Sequence, residues 1–403
     1  MDIRPILSTL RRHKTASALI VIEIALSCAI VCNALFLIGN RLDRMGRDTG
    51  MANDEIVRIN IAGIGTNDNA DAAVKTDLAA IRAVPGVKYA TSTNHVPFDS
   101  SSWNSSVSIK PDQRNPSMNV GVYLGDEQLL ETFGLKLVAG RDFLSEEYAD
   151  MGSLTNDSSI PSTIVTRAMA EKLFPGENAL GKLLYDSWGS KPIKIVGVVE
   201  SLIRPNDNGG PSEAQYSMLL PIQPTAGRFA IRTSPERRDE VLKASVAALE
   251  KVNRSRIIMD QGTFSDVIAE YYRQDKAMAW LLGAVCVALM VVTALGIVGL
   301  ASFWVQQRTK QIGVRRALGA TRSQILRYFQ TENFLLATIG IVLGMLGAFG
   351  LNQLLMTHYE LPRLPAFYLP MGAVALWLLG QIAVYGPAKR AAAVPPAVAT
   401  RSV

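Results

Sequence analysis

The 403-residue sequence predicts a helical membrane protein: four transmembrane helices, with a large mixed α/β extracytoplasmic domain inserted between helices 1 and 2. Three observations carry that prediction. Four apolar stretches reach or exceed the ~20 residues needed to cross a bilayer: 15–40, 277–305, 333–356 and 366–386. Charge is partitioned, because 26 of the 41 Lys/Arg and 31 of the 35 Asp/Glu lie between Arg41 and Asp275, leaving 15 basic against 4 acidic residues elsewhere. The long polar region 41–276 shows both strand and helix periodicities.

The elements follow in chain order. Residues 1–14 carry Arg4, Arg11, Arg12 and Lys14, and Ile3, Ile6, Leu7 and Leu10 share one helical face, which suits an interfacial helix on the inner leaflet. The first span is too long for a signal-peptide apolar core and has no small-x-small cleavage pattern before the polar chain, so it reads as an uncleaved anchor. Basic residues also fill the 306–332 segment and the 387–403 tail. Short Lys/Arg-rich loops stay cytoplasmic, which places both termini and 306–332 inside. The domain 41–276 and the short loop 357–365 then lie outside, and the protein is multi-pass in the inner membrane. The net charge of +6 therefore writes membrane orientation rather than nucleic-acid binding.

Glu23 is the only charge interior to a span and sits nearer its cytoplasmic end. Such carboxylates are costly. Contact with other helices or headgroups, and a role in coupling or transport, are the two readings. In the third span Gly340, Gly344, Gly347 and Gly350 recur at three- and four-residue steps. That pattern permits close packing, within the chain or against a second copy.

In the outer domain, Glu55–Ile61 alternates like a strand, Ala70–Val84 is helical up to Pro85–Gly86, and Val87–Thr91 returns to strand. Arg228–Thr233, Pro235–Lys251 and Arg256–Met259 repeat the pattern, predicting a paired lobe. Ser101–Tyr123 and Lys191–Glu200 read as strand-rich, and Ser145–Ser162 as loop. From Phe264 to Ala279 a helical pattern runs into the second span and predicts a continuous stalk.

Catalytic and metal chemistry finds no support. Cys28, Cys32 and Cys286 all lie in apolar spans, and His13, His95 and His358 are far apart. Gly176–Leu183, GENALGKL, approaches a phosphate-binding loop, but Leu183 stands where Ser or Thr would hold magnesium, and the preceding segment reads as helix. Neither HExxH nor GxSxG occurs. No cofactor is expected in this chain.

Between the second and third spans, Arg308–Phe329 carries six basic residues and no acidic one. Ile312, Leu318, Ile325, Leu326 and Phe329 offer apolar contacts, Arg315, Arg316, Arg322 and Arg327 offer charge, and Gly319 divides two short helices. Resting on anionic lipid and docking a protein both fit this pattern.

QIGVRRALGA, Gln311–Ala320, resembles the EIG-R-ALGA signature that follows the second span in MacB/FtsX-type ABC transporter permeases. The resemblance extends to Ile325, Phe329 and Glu332, to Leu135–Phe143, Ala168–Lys182 and Lys194–Ser201, and to the tail Pro387–Arg401. It implies that Gln311, Ile312, Gly313, Arg315, Arg316, Ala317, Leu318, Gly319 and Ala320 dock an ABC ATPase. Gln311 departs from the family's usual Glu. The ATPase is expected to be a separate subunit that binds ATP and Mg, since no ATPase domain lies within these 403 residues. The resemblance also implies a second permease chain, identical or not, and, in many relatives, a membrane-fusion adaptor and outer-membrane channel. The function it implies is export or extrusion driven by force transmitted to the outer domain. The alternative is an FtsX-like signalling subunit that activates a cell-wall hydrolase or senses a ligand.

Overall fold

The computed structural model describes residues 14–63, 69–99, 102–111, 113–154, 160–186, 191–206, 213–359 and 363–395. The expected interfacial helix of 1–14 therefore lies outside the described residues apart from Lys14, as do 360–362 of the short loop and 396–403 of the tail. The chain divides into two units, residues 46–273 and a helical unit formed by what precedes and follows them.

The 46–273 unit is built on two sheets. β1 (Ile56–Gly63), α2 (Ala70–Arg82) and β2 (Tyr89–Ser92) form the first expected β-α-β unit. β12 (Arg228–Arg232), α5 (Arg238–Val252) and β13 (Arg256–Thr263) form the second. They do not stand as separate halves but interleave in one antiparallel sheet, ordered β13-β1-β12-β2, the arrangement of a split β-α-β fold. Val57, Ile59, Phe229 and Ile231 on the sheet bury against Val74, Leu78, Ile81, Val241 and Leu249 on the helices. This is the inward alternation that the sequence shows.

The second sheet uses β3 (Asn104–Ser108), β4 (Met118–Leu124), β5 (Leu137–Gly140), β7 (Ser162–Thr166), β8 (Leu183–Asp186), β9 (Ile193–Val199) and β10 (Ser217–Leu220). Its order is β5-β9-β7-β10-β4-β3-β8, and β8 also pairs with β9, so the sheet closes on itself. Closure gives the small barrel a continuous interior of Val120, Val122, Val165, Ile195, Met218 and Leu220. α3 (Leu129–Phe133) follows β4, and α4 (Arg167–Leu173) follows β7. Outside the barrel, the loop expected at 145–162 contains β6 (Ala149–Asp150), which pairs with β11 (Ile222–Gln223).

His95 is buried between these sheets, its ring 4.8 Å from that of Tyr123. Burial, reinforced by the Arg228 cation, pushes its pKa down to about 3. The unfolded chain binds that proton near pH ~6.5. This contribution to stability is therefore complete above ~6.5 and is lost as pH falls through that value. The thermal midpoint of the full chain is expected to fall between pH 7 and 5, and His95→Phe to flatten that slope.

The helical unit contains α1 (Lys14–Met45), α7 (Arg273–Gln307), α8 (Thr309–Ala317), α9 (Arg322–Tyr359) and α10 (Tyr368–Ala392). Four of these are long and apolar enough to cross a membrane. Their bounds differ from the expected spans, most of all in α9, which starts at Arg322, eleven residues ahead of 333, because polar ends extend a helix without needing lipid. Ile24, Cys28, Ile297, Leu336, Ile341 and Leu376 share its core. Asp275 at the start of α7 is buried and pairs with Arg41 and Arg44 near the end of α1.

The helix expected to be continuous from Phe264 to Ala279 is broken. α6 (Phe264–Tyr271) opens on a Thr263/Asp266 capping box and stops at Tyr272, and α7 starts afresh at Arg273. Phe98 supplies a physical reason. Its ring lies 4.6 Å from Tyr271 and 5.2 Å from Tyr272, and all three aromatics belong to the 46–273 unit. Phe98 is the one non-glycine residue with positive φ (64°) among the described residues, so packing holds it in a costly conformation.

Candidate functional site

The sequence of the 308–329 segment specifies a sharp helix–turn–helix. α8 ends because Gly319 adopts φ +97°. There the Ala320 amide donates to the Arg315 carbonyl and the Gly319 amide to that of Arg316, the paired bonds of a Schellman cap. Two residues later α9 opens on a capping box. The Gln324 amide donates to Thr321 Oγ1, and the Thr321 amide donates to Gln324 Oε1. The run ALGATRSQ thus encodes a helix stop and a helix start back to back. The second of the two expected short helices is the first part of the long α9.

The two faces of α8 differ. Ile312 and Gly313 are buried, with Ile312 packing beside Val305, Ile325, Phe329, Ala388 and Ala391. Opposite them Gln311, Val314, Arg315 and Leu318 are exposed, spaced three, four and seven residues apart along one stripe. Leu318, expected to make apolar contacts, is instead 83 % exposed, because the cap at Gly319 turns the helix end outward. Val314, 47 % exposed, is not singled out by the signature. Its spacing from Gln311 and Leu318 is the signal that finds it. Ala317 and Gly319 are exposed, and Ala320 is half-buried.

The basic residues divide by task. The Arg315 guanidinium lies 5.0 Å above the Tyr328 ring at the edge of the stripe. Arg316 donates to the Ala320 carbonyl (3.2 Å) and so secures its own turn. Arg308, at the α7–α8 junction, donates to both carboxylate oxygens of Glu332 on α9 at 3.0 and 2.9 Å, both side chains being buried. The notch beside Gln311, Arg315 and Tyr328 holds only about 40 Å3, far below the several hundred Å3 typical of small-ligand sites. A helix-sized stripe on a braced hairpin is suited to a protein surface.

Glu23 lies on α1 and the glycines of the third span lie on α9. The Glu23 carboxylate lies over Gly296 of α7, where an added Cβ would sit 2.5 Å from either oxygen. One turn away Ser27 and Thr293 hydroxyls bond at 2.7 Å. Gly340 and Gly344 approach α1 closely, Gly347 lies within ordinary contact of Ala29, and Gly350 faces open space. The GENALGKL segment forms a turn after α4 and leads into β8, with left-handed Gly176 and Gly181. Its Lys182 is paired with Glu177 at 2.6 Å. No group of three metal-ligating side chains occurs among the described residues.

Comparison with known proteins gives two family matches: a MacB-like periplasmic core domain over residues 17–250, and an FtsX-like permease C-terminal region over 283–396. The chain is 22 % identical to the ABC transporter permease YknZ of Bacillus subtilis (strain 168), across 99 % of this chain and 98 % of YknZ. It is 24 % identical to the permease YvrN of the same organism, across 63 % of each chain. It is also 27 % identical to the macrolide export ATP-binding/permease protein MacB of Acinetobacter baylyi, over 66 % of this chain but only 40 % of MacB. Among solved structures, the periplasmic region of MacB from Actinobacillus actinomycetemcomitans matches at TM-score 0.33 and 17 % identity, covering 57 % of this chain and 98 % of that one. With one family match spanning more than half its length and the other covering most of the remainder, the chain belongs to the MacB/FtsX-like family of ABC transporter permeases.

Proposed function

We propose that this chain is the membrane subunit of an ABC export system whose ATP hydrolysis occurs in a separate ATPase, and that it transmits force to its 46–273 domain. The observation that carries this reading is the exposed Gln311–Val314–Arg315–Leu318 stripe, standing on a hairpin braced by Ile312, Phe329 and the Arg308–Glu332 pair. An apolar-cationic helix face with a rigid back is what a docking ATPase requires to push on a bundle. By the distribution of Lys and Arg, both termini and this hairpin are cytoplasmic and the 46–273 domain is outside the cell's inner membrane. ATP and Mg belong to the partner, and a second permease chain completes the pair.

The polar groups of the bundle support force transmission over conduction. Ser27 bonds Thr293, Asn33 donates to the Ala29 and Ala348 carbonyls, and Asn352 accepts from the Leu364 amide. These groups are spent on holding helices together, which leaves little polar surface to line a solute path.

The test is reconstitution with the cognate ATPase. Val314→Glu with Leu318→Glu changes only exposed side chains and is expected to abolish co-purification of the ATPase. Stimulated ATP turnover should fall at least tenfold with the thermal midpoint unchanged. Unaltered assembly and turnover would refute docking at this face. Arg315→Glu is the cleaner charge reversal, since Arg316 also secures the turn.

A further inference from the structure

The four-stranded sheet of the 46–273 unit ends on β2 at one edge and on β13 at the other, and the two edges are finished differently. At β2 the outward main chain is already closed. The Ala90 amide donates to Gln128 Oε1 at 3.2 Å, and the Ala90 carbonyl accepts from Arg82 at 2.6 and 3.0 Å. At β13, among the described residues, the main chain from Arg256 to Gly262 is bonded only through its pairing with β1. A row of unpaired N–H and C=O groups along an edge strand is a template for another strand.

The side chains along this edge say what kind of strand fits. Ile257 and Met259 are 47 % and 64 % exposed. Met259 is a bulged residue, left without a partner between the pairs Ile258–Ile61 and Asp260–Asn60. Charge is polarised along the strand. Just ahead of it Lys251 and Arg254 are exposed and carry no ion pair among the described residues, against the one carboxylate of Glu250. Arg256 adds nothing to them, because it turns to the buried Asp77 on α2. At the far end Asp260 is exposed and shares the Arg58 guanidinium, at 2.5 Å, with Asp99, at 3.8 Å, which leaves one negative charge in excess. The edge is thus basic at its start, apolar in its middle and acidic at its end.

We propose that β13 takes up an extended segment of a partner polypeptide as a fifth, antiparallel strand of this sheet. The segment begins on Lys or Arg opposite Asp260, sets apolar side chains against Ile257 and Met259, and ends on Glu or Asp opposite Arg254. Antiparallel addition continues the sheet, in which every pairing is antiparallel. In this mode main-chain bonds supply affinity and the alternate side chains supply the choice of partner. A second copy of this chain fits less well. β13 leads back to α7 in every copy, so two chains in one bilayer offer these edges in the same sense, Arg254 beside Arg254 and Asp260 beside Asp260. Strand addition at equilibrium needs no ATPase, so this assignment stands or falls separately from docking at the 308–329 hairpin.

The test is calorimetric titration of the full chain in nanodiscs with capped Lys-Val-Thr-Val-Thr-Ser-Glu, for which saturable binding is expected. Two control peptides accompany it. Exchanging its Lys and Glu should weaken binding about fivefold or more, and N-methylation through its middle residues should abolish it. Ile257→Asp with Met259→Asp changes two exposed side chains and should weaken binding at least tenfold with the thermal midpoint in place. Arg254→Glu should weaken it about two- to fivefold, the range of a surface ion pair. Tyr89→Thr, on the closed edge, should leave it unchanged. Four outcomes overturn the proposal: no saturable binding, equal binding of the N-methylated peptide, indifference to the charge exchange, or ready formation of a disulfide-linked dimer by Ile257→Cys under copper–phenanthroline oxidation. The native cysteines are buried, so the last result would assign the edge to a second copy.

Discussion

Glu332→Ala is expected to produce the largest loss of stability of any single change around the 308–329 hairpin, about 3–5 kcal/mol, read as a fall in the thermal midpoint of the full chain in nanodiscs. The Glu332 and Arg308 side chains are only 2 % and 10 % exposed, and they meet through two bonds from one guanidinium nitrogen. Deleting the carboxylate strands a guanidinium in a nearly dry pocket beside Trp304, whose ring lies 5.6 Å away. Arg308→Met with Glu332→Leu removes both charges, and stability is expected to return to within about 1–2 kcal/mol of the parent, since well-packed apolar pairs replace buried ion pairs at little cost. ATP turnover then separates two roles. If the pair serves only to shape the hairpin, the double variant regains stimulation along with stability. If stability returns without stimulation, the charges also act during the cycle. A single variant as stable as the parent would contradict the burial of this pair.

Much of this architecture is legible in the sequence, because the signals are physical and local. Apolar length fixes the four long helices, and basic flanks fix the proposed orientation. Apolar–polar alternation over Val57–Ile61 marks β1, whereas the apolar Phe229–Ala230–Ile231 run of β12 is buried throughout. What periodicity does not carry is partnership. The two β-α-β units are visible one at a time, yet nothing local says that β1 lies between β12 and β13. Closure of the barrel through β8 and β9 is likewise a long-range event. The break at Tyr272 is hidden for the same reason. Tyr271 and Tyr272 suit a helix, and the residue that packs against them, Phe98, lies far away in sequence.

The 308–329 segment shows a subtler limit. Its signature does not show how the residues divide between holding the fold and facing outward. Ile312 is buried while Leu318, six residues on, is exposed, and Arg315 faces outward while Arg316 caps its own turn. The caps themselves, Gly319 and the Thr321/Gln324 box, can be read from sequence once a helix stop is sought there. They also show that part of the motif serves the fold, which narrows the proposed docking surface to the exposed Gln311, Val314, Arg315 and Leu318 stripe.

Gly344→Val is the second change expected to have a large effect, because the obstruction is backbone. A Cβ at 344 would stand 2.5 Å from both the Ala25 carbonyl oxygen and the Cys28 Cβ on α1. No rotamer change clears a carbonyl, so α9 must retreat from α1, and Asn33 then loses its 3.2 Å bond to the Ala348 carbonyl. Overpacking of this kind costs about 1–3 kcal/mol, and the branched side chain takes it to the upper end. The neighbouring glycines grade the prediction. At Gly340 the closest atoms are an Ile24 side chain at 2.9 Å and the Val21 carbonyl at 3.0 Å, so Gly340→Ala should cost less than Gly344→Val. Gly350 meets nothing within 4 Å, and Gly350→Ala should be neutral or mildly stabilising through helix propensity. Thermal midpoints in the order Gly344→Val, Gly340→Ala, Gly350→Ala, from lowest to highest, identify the stripe as packing within one chain. The reverse behaviour, with Gly350→Ala disrupting a dimer while Gly344→Val folds normally, would assign the stripe to contact with a second copy instead.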